Sequence, residues 1–527
     1  MRNAFAWRSR RRGFAETTQI RRHSAWSLVV PCAAVLAFLG FFGHAISASD
    51  PASNEAQSYP MVPLSAILRP ASGNAQGMQS EAGSSMWATA MSPEVLTHTV
   101  FLPLFYKGYY WRPPDSLLGI QTYVDHREDE LVLQLDQAGV RWARIPLWWA
   151  QFEPRNTTPE NYRWWPQFED WLARLSARNI KVILTLDGNP GWAARYTGGR
   201  IDKVPIAELA QFMQAAVARY SRPPYNIKHW ELYNEPDNGS AIYAELGWGY
   251  WGKWPGDYAN MLKAVYAPMK AADPRAQIVM GGLAYDNFEP AGPFVRGFLD
   301  KVLEEYGGAH FDVMNFHYYP VFDATWDPWG PGIIGKATFL RSKLADYGVY
   351  KPLICTEAGM WSDAEHGGSF ELQSRFVPRL YARSMEAELL ATIWYKLVDD
   401  EDLGTVKYGL LEYDLTQKPA FTAYQTVARQ LAPADYVRPL APAETGSSKI
   451  EAYEFRAPAS LAQTIAAWTN DDLNHTMSMA AANVMVVDKY GAQTQVYDGD
   501  DGVVDGQVQV RLGPSPVYLH PTGGTPD

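Results

Sequence analysis

The chain has 527 residues, of which 47% are hydrophobic and 20% are charged, and its formal net charge is -11. This length is too great for one average domain, and the acidic balance argues against a nucleic-acid partner, which would need a concentrated basic surface. The two cysteines, Cys32 and Cys355, imply neither a disulfide framework nor a Cys/His metal site.

The N-terminal residues predict a targeting segment. Residues 1–24 form an arginine-rich tail, and residues 25–47 are apolar over a length that can cross a roughly 30 Å hydrocarbon core. The positive-inside rule then places the tail in the cytoplasm and the rest of the chain outside. Small residues before Ala48 also resemble a signal-peptide cleavage site. The segment is therefore a transmembrane helix or a signal peptide, and we expect an extracytoplasmic protein, either membrane-anchored or secreted.

Residues 48–95 are rich in Ser, Ala, Gly, Asn and Pro and predict a disordered linker. From 96 to 432, short apolar runs alternate with amphipathic stretches, as in repeated βα units. The predicted strands are Leu118 to Tyr123, Trp142 to Leu147, Lys181 to Leu186, Lys228 to Asn234, Gln277 to Leu283, Asp312 to His317, Leu353 to Glu357 and Thr392 to Leu397. The predicted helices between them include Asp125 to Ala138, Trp165 to Arg178, Ala207 to Tyr220, Pro255 to Ala271 and Phe294 to Tyr306.

Eight strands with intervening helices in about 300 residues predict an α/β protein of the (β/α)8 TIM-barrel type. A doubly wound open sheet is the alternative, but no Gly-rich dinucleotide fingerprint follows the first strand. In a barrel, the carboxyl ends of the strands meet at one open end, here called the mouth, where active sites are built.

Two predicted strands each end in a glutamate. The run "KHWELYNEPD" brings Asn234 and Glu235 to the end of strand 4, and Pro236 ends the strand because it cannot donate a ladder hydrogen bond. The run "PLICTEAGMW" brings Glu357 to the end of strand 7. Two carboxyl groups about 5 to 5.5 Å apart can cleave a glycosidic bond with retention, whereas a gap of about 6.5 to 9.5 Å implies inversion.

The paired motifs "YNEP" and "TEAG" resemble those of clan A glycoside hydrolases, in the style of families 5 and 39. The resemblance covers about Leu118 to Ala432. It implies a retaining glycoside hydrolase in which Glu235 is the acid/base and Glu357 the nucleophile. It also implies that Asn234 binds the sugar 2-hydroxyl, while "NFHYYP" supplies His317 and Tyr319, with Tyr319 orienting Glu357.

The sequence also predicts roles for other side chains near the strand ends and in the long loops. Arg144 matches the arginine that holds the nucleophile ionised, and Trp394 matches the strand-8 tryptophan that floors the sugar subsite. The alternative for Arg144, His317 and Tyr319 is a satisfied polar network inside the barrel, and the alternative for Trp394 is a place in the core. Asp187 either touches substrate or forms an Asp-Gly turn. We expect Cys355 to share the inner face with Glu357 as an inert thiol. Aromatic residues of the long loops, available to stack on sugars, are Trp248, Tyr250, Trp251, Trp254, Trp326 and Trp329.

Residues 433–527 change to period-two runs, which predict a C-terminal β-sandwich domain with strands at Ile450 to Arg456, Gln463 to Thr469, Asn483 to Val487 and Val508 to Leu512. Its role, glycan binding or bracing of the barrel, stays open. The expected partner is a carbohydrate, with the membrane as a second partner if the N-terminal segment is uncleaved. No metal or cofactor is needed for this chemistry. The alternatives are a catalytically silent, surface-anchored glycan-binding protein and a transglycosylase on the same barrel.

Overall fold

The computed structural model describes residues 116–523 apart from 126, 158–160, 246, 248, 403 and 459. The predicted targeting segment at 25–47, its basic tail and the predicted linker at 48–95 lie outside the described residues. Among the described helices, none is long and apolar enough to cross a membrane. The boundaries that we drew between the domains stay predictions.

Eight parallel strands form the first part of the fold, and all eight predicted strands are present. They are β1 (Leu118–Gln121), β2 (Trp142–Trp148), β3 (Lys181–Asp187), β4 (His229–Asn234), β5 (Gln277–Gly282), β6 (Met314–Tyr318), β7 (Leu353–Ala358) and β8 (Thr392–Trp394). The pairing order is β5-β4-β3-β2-β1-β8-β7-β6. The amide of Met280 donates to the carbonyl of Val313 at 3.1 Å and that of His317 to Leu283 at 2.8 Å, so β5 and β6 close the barrel.

One long helix follows each strand, which completes the (β/α)8 pattern. The helices are α1 (Glu128–Ala138), α2 (Pro166–Ala177), α3 (Ala207–Tyr220), α4 (Pro255–Ala272), α5 (Phe298–Tyr306), α6 (Ile333–Asp346), α7 (Phe370–Glu386) and α8 (Pro419–Gln430). Proline opens α2, α4 and α8, where its missing N–H costs nothing. The hydroxyl of Ser369 caps α7 by accepting a hydrogen bond from the amide of Leu372 at 3.1 Å.

The interior of the barrel has two layers of different chemistry. The lower layer, away from the mouth, is an apolar cluster made of Trp142, Ile183, Val279, Val313, Ile354, Ala391 and Ile393. The upper layer, towards the mouth, is a buried polar network that includes Gln121, Arg144, Thr185, Glu231, Asn315 and Thr356. We call these the apolar layer and the polar layer. Layers of side chains from alternate strands fill the centre of barrels of this type.

The C-terminal strands are antiparallel and pack as two sheets. They are β9 (Asp435–Pro439), β10 (Ile450–Arg456), β11 (Gln463–Thr469), β12 (His475–Ala480), β13 (Asn483–Asp488), β14 (Gln493–Tyr497), β15 (Gln507–Leu512) and β16 (Val517–Thr522). One sheet has the order β14-β13-β16-β11-β10-β9, and the other pairs β12 with β15. Their facing side chains, among them Ile450, Ile465, Met477, Val484 and Val510, form one apolar core. The predicted β-sandwich is thus confirmed.

The sandwich contacts the barrel along α7. The guanidinium of Arg383 donates two hydrogen bonds to the carboxylate of Glu451 on β10, at 2.7 and 2.8 Å. Both side chains are nearly buried, and Glu451 also accepts from Tyr453 at 2.6 Å. A bidentate Arg–carboxylate pair fixes orientation as well as distance. The barrel and the sandwich therefore meet in a defined geometry.

Candidate active site

Arg144 on β2 lies at the centre of the polar layer. Its guanidinium contacts Glu231 through Nε at 2.7 Å and through Nη2 at 2.9 Å, and both side chains are almost fully buried. It also donates to Gln121 at 2.7 Å, to Asn234 Oδ1 at 2.8 Å and to Glu357 Oε2 at 3.2 Å. The negative charge of Glu231 raises the pKa of Arg144 despite burial. Arg144 thus carries a permanent charge that joins the ends of β4 and β7.

The end of β4 places Asn234 and Glu235 at the mouth. The strand ends at Asn234, as the proline at 236 predicts, and Glu235 follows with only 2% of its surface exposed. Tyr233 and Glu235 both adopt positive φ, at 71° and 42°. Left-handed backbone is uncommon for such side chains, and it persists where the surrounding structure fixes it, often at functional sites. The amide of Glu235 donates to the carbonyl of Gly282 at 3.0 Å, which holds this turn.

The end of β7 brings Glu357 to the same mouth by an irregularity in the strand. Phe316 pairs with Cys355 but His317 pairs with Glu357, so β7 carries one extra residue at Thr356. Thr356 and Glu357 consequently both face inwards, where Thr356 donates to Glu231 at 3.0 Å. Our prediction that Cys355 shares the inner face is wrong, because the bulge turns it towards Tyr381 of α7. Its thiol is buried, and burial raises its pKa.

Both carboxylate oxygens of Glu357 have partners. The hydroxyl of Tyr319 donates to Oε1 at 2.5 Å, and Arg144 donates to Oε2. Burial raises the pKa of Glu357 above its ordinary value, while Arg144 and the Tyr319 hydrogen bond oppose this rise. Burial is the larger effect, so Arg144 limits the rise without cancelling it. Arg144 and Tyr319 therefore favour the ionised form that a nucleophile requires.

His317 on β6 connects the two glutamates. Its Nδ1 lies 3.0 Å from Glu235 Oε1 and 4.0 Å from Glu357 Oε2, and the ring is fully buried. Burial, with Arg144 and Lys336, holds the pKa of His317 well below its ordinary value, so the ring is neutral. A Cβ on Gly282 would lie 2.2 Å from His317 Nε2. A glycine at 282 is therefore required for the imidazole to occupy this position.

The two glutamates and His317 lie close enough to act on one atom. One ligand atom from each of Glu235, His317 and Glu357 lies within 4.8 Å of the others. Such a group could hold a metal ion, but the Arg144 guanidinium lies 3.2 Å from Glu357 and would repel a cation there. The arrangement better suits proton transfer and nucleophilic attack between two carboxyl groups.

Trp394 is not brought to the mouth. It is fully buried, its ring packs on Phe376 of α7 and its indole N–H donates to the carbonyl of Tyr408 at 3.1 Å. It therefore packs between sheet and helices, and our placement of it at the floor of the sugar subsite is not supported. The next residue, Tyr395, lies near the nucleophile instead: burial, then Tyr123 and Glu357, raise its pKa.

Sequence reasoning missed most of the polar layer. Glu231 accepts hydrogen bonds from Arg144, from Thr185 at 2.7 Å and from Asn315 at 2.9 Å, yet it was not predicted as a site residue. Its signal was a charged residue in a strand whose neighbours Trp230 and Leu232 are buried apolar residues. Polar residues at inward positions of several strands thus indicate a network at the mouth end.

The structure places Asp187 in a turn and distributes the loop aromatic residues between the core and the surface. Asp187 Oδ1 accepts from the amide of Gly188 at 2.7 Å, as in a turn, and burial raises its pKa to about 7. Trp251 and Trp326 are buried in the core, Trp254 stacks on Tyr196, and Trp329 is exposed. Trp248 lies outside the described residues.

Comparison with known proteins supports the prediction from the two motifs. The chain matches the cellulase family, glycosyl hydrolase family 5, over residues 113–368, a region that includes Glu235 and Glu357. No curated protein sequence matches the chain at a significant level.

Solved structures share the fold at low sequence identity. A family 39 glycoside hydrolase from Bacteroides cellulosilyticus WH2 is 19% identical, with a TM-score of 0.61 over 77% of this chain and 81% of that one. A glucosidase from Croceicoccus marinus is 16% identical, with a TM-score of 0.54 over 77% and 96%. A family 30 endoxylanase from Clostridium papyrosolvens C71 is 14% identical, with a TM-score of 0.52 over 78% and 98%. The predicted resemblance to clan A glycoside hydrolases is confirmed.

Proposed function

We propose that this chain, whose barrel resembles those of clan A glycoside hydrolases, hydrolyses O-glycosidic bonds with retention of configuration. The observation that carries the proposal is the approach of Glu235 and Glu357, whose nearest oxygens lie within 4.8 Å of each other at the ends of β4 and β7. Carboxyl groups of inverting enzymes lie about 6.5 to 9.5 Å apart to admit a water, so the close approach of these two oxygens favours retention. It suits direct attack by one carboxylate.

In the first step, Glu357 attacks the anomeric carbon and Glu235 donates its proton to the leaving oxygen. The bond between the anomeric carbon and the leaving group breaks, and a glycosyl ester forms on Glu357. In the second step, Glu235 takes a proton from a water molecule, which attacks the same carbon and releases Glu357. Two inversions give net retention.

The neighbouring side chains fit these roles. Tyr319 and Arg144 hold the two oxygens of Glu357 in a fixed orientation. His317, which is neutral and 3.0 Å from Glu235, positions the acid/base without adding a charge that would keep it ionised. Asn234 Oδ1 accepts from Arg144 at 2.8 Å, so its amide orientation is set and its Nδ2 can donate to the sugar 2-hydroxyl. That hydrogen bond strengthens in the transition state.

The substrate class is an oligosaccharide, polysaccharide or glycoside with a β-linkage. The support for a carbohydrate substrate is the likeness to a glucosidase and an endoxylanase. The β-linkage follows from the resemblance of the two motifs to those of clan A glycoside hydrolases. The arginine-rich and apolar N-terminal residues support an extracytoplasmic location, anchored or secreted. A fusion of residues 1–60 to a reporter that is active only outside the cytoplasm tests this location.

The stereochemical course of the reaction tests the mechanism. A panel of β-linked gluco-, xylo- and manno-oligosaccharides is incubated with the full chain, and proton NMR records the first anomer released from any oligosaccharide that is cut. We expect the β-anomer to appear first and to mutarotate later. An α-anomer as the first product would contradict a double displacement at Glu235 and Glu357.

A further inference from the structure

A cleft of about 460 Å³ lies where the barrel meets the β-sandwich. Its barrel side is formed by residues that directly follow β6 and β7 and by α7, and its other side by the loop between β11 and β12 together with Pro514. This volume is within the usual range for ligand-binding pockets. The residues after β6 and β7 follow Tyr319 and Glu357, so the same two chain segments contribute to the proposed active site and to the cleft.

The two walls of the cleft differ in chemistry. The barrel wall is largely apolar, because it includes Val321 and Leu372, which are about half exposed (51% and 43%), and the largely buried Trp361. Large apolar side chains exposed inside a cleft mark binding surfaces more often than those scattered singly. The sandwich side is polar, with Asn470, Asp471 and Asp472. One apolar wall facing polar groups matches the shape of a sugar ring, which has C–H faces and a rim of hydroxyls.

The cleft is lined by two basic side chains, Arg375 and Arg379, and by two acidic ones, Asp471 and Asp472. Arg375 pairs with Glu371 at 2.6 Å, and Asp471 pairs with His475 at 3.0 Å. Arg379 instead donates to the backbone carbonyls of Thr469, at 3.4 Å, and Pro514, and it makes no ion pair with a described residue. Burial lowers its pKa to about 10, as expected for a cation without a close carboxylate.

Arg379 and the exposed Asp472 offer a donor and an acceptor to one ligand. A hydroxyl both donates and accepts, so a neutral saccharide can use both groups. A polyanion would meet Asp471 and Asp472, and a basic peptide would meet Arg375 and Arg379. The charges therefore favour a neutral ligand over either charged class.

The cleft is also preformed. Asn470 donates to Glu451 at 2.8 Å, and Glu451 is held by the two hydrogen bonds from Arg383, so the sandwich wall is fixed to α7. On the other side, the ring of Trp361 packs on Tyr408, which packs on Tyr319 beside Glu357. A rigid site loses little conformational entropy when a ligand binds.

We propose that this cleft is a second carbohydrate-binding site, which holds a neutral saccharide chain between α7 and the β11–β12 loop. The inference rests on the proposed function for the identity of its ligand, and it gives the β-sandwich a direct part in binding. The saccharide is either a distal part of the chain that is being cut or a separate chain. The same hydroxyl chemistry serves both sources.

The test fills the cleft and measures binding. Full-length protein carrying Glu357→Gln, which blocks turnover, is titrated calorimetrically with the hexasaccharides of β-1,4-xylose, β-1,4-glucose, β-1,4-mannose and β-1,3-glucose and with hexagalacturonate. Val321→Trp and Leu372→Trp each place an indole in the cleft from an exposed position. Val504→Trp is the matched control, because Val504 is 83% exposed and does not line the cleft.

We expect both cleft variants to weaken the binding of at least one neutral hexasaccharide by tenfold or more (about 1.4 kcal/mol), with Val504→Trp unchanged. Binding in the cleft variants that equals the control with every probe would overturn the proposal. So would tighter binding of hexagalacturonate than of the neutral chains. Because this measurement needs no turnover, it still reads the cleft if the proposed catalytic function fails.

Kinetics in the active protein then identify the source of the saccharide. If Val321→Trp raises KM for a hexasaccharide but leaves KM for an aryl monoglycoside unchanged, the cleft holds the distal part of the same chain. If binding is lost while both KM values stay the same, it holds a separate chain. Either result supports the second site.

Discussion

The two interior layers of the barrel come from the same strands but differ in almost every property. In the apolar layer, Ile183, Ile354 and Ile393 belong to one cluster of buried hydrophobic side chains. Two residues further along β3 and β7, Thr185 and Thr356 belong to the polar layer around Arg144 and Glu231. The period of two along each strand places both sets on the inner face.

This difference implies that the apolar layer mainly determines the stability of the barrel and the polar layer mainly determines its activity. The apolar layer stabilises the fold by burial, which is non-directional and tolerates changes of side chain when volume is kept. The polar layer depends on directed hydrogen bonds, and one lost partner leaves a buried group unpaired. Substitutions in the upper layer should therefore reduce activity, and those in the lower layer should reduce only stability.

The largest expected effect comes from the two glutamates at the top of the polar layer. Glu357→Ala should lower kcat by on the order of 10⁴-fold or more, because the covalent step is lost. Glu235→Ala should lower kcat by about 10²- to 10⁴-fold, and less for an aryl glycoside whose leaving group needs no proton. Azide should rescue both variants, giving an α-glycosyl azide with Glu357→Ala and a β-glycosyl azide with Glu235→Ala. NMR of the products checks this, and the same anomer from both variants would contradict the assignment of roles.

A pair of substitutions tests the two layers directly. Arg144→Met leaves Glu231 buried without its cation, so we expect a loss of about 3 to 5 kcal/mol in the free energy of unfolding together with a loss of activity. Ile183→Ala should cost about 2 to 5 kcal/mol but leave kcat of the folded protein unchanged. Denaturant titration and kinetics on the same samples provide the check. A fall in kcat with Ile183→Ala as large as that with Arg144→Met would break the separation of the layers.

A smaller effect is expected from Gly282→Ala. The added Cβ would lie 2.2 Å from His317 Nε2, so the imidazole must move away from Glu235. Displacing a positioning group by about 1 Å can lower a rate up to roughly 100-fold. The control is Gly297→Ala, where no atom lies within 4 Å of the added Cβ. We expect kcat to fall only at 282, and equal kinetics in the two variants would show that His317 does not position the acid/base.

The smallest expected effect is a change of pH profile in Tyr319→Phe. The hydrogen bond from Tyr319 favours ionised Glu357 and so lowers its pKa. Without this bond the pKa rises, and since the nucleophile must be ionised, the acid limb of kcat/KM should move to higher pH. Tyr220→Phe, which removes a buried hydroxyl on α3, is the control and should leave the limb in place. An acid limb that moves to lower pH in Tyr319→Phe would contradict the role given to this hydroxyl.

The eight strands and the ends that carry Asn234, Glu235 and Glu357 could be predicted because hydrophobic periodicity and the two motifs are local signals. Cys355 was assigned to the inner face from its spacing to Glu357, but the bulge at Thr356 changes the phase of β7. Trp394 was assigned to the sugar subsite by resemblance, and in the structure its ring packs on Phe376 of α7. A bulge depends on tertiary pairing and leaves no reliable mark in one sequence.

The features that could not be predicted are contacts between residues that lie far apart in the sequence. Glu231 and Asn315 are 84 positions apart yet share a hydrogen bond of 2.9 Å, and no local pattern indicates such a pairing. The cleft against the sandwich is similar, since α7 and the β11–β12 loop meet only in the folded chain. Closing the barrel and docking the sandwich create both features.

The central claim is that Glu357 is the nucleophile of a retaining reaction. The most direct measurement incubates the full chain with a panel of activated 2-fluoro glycosides and locates any covalent adduct by peptide mass spectrometry. We predict a glycosyl ester on the peptide containing Glu357, formed in the wild type and absent from Glu357→Gln. Labelling of any other residue would contradict the account.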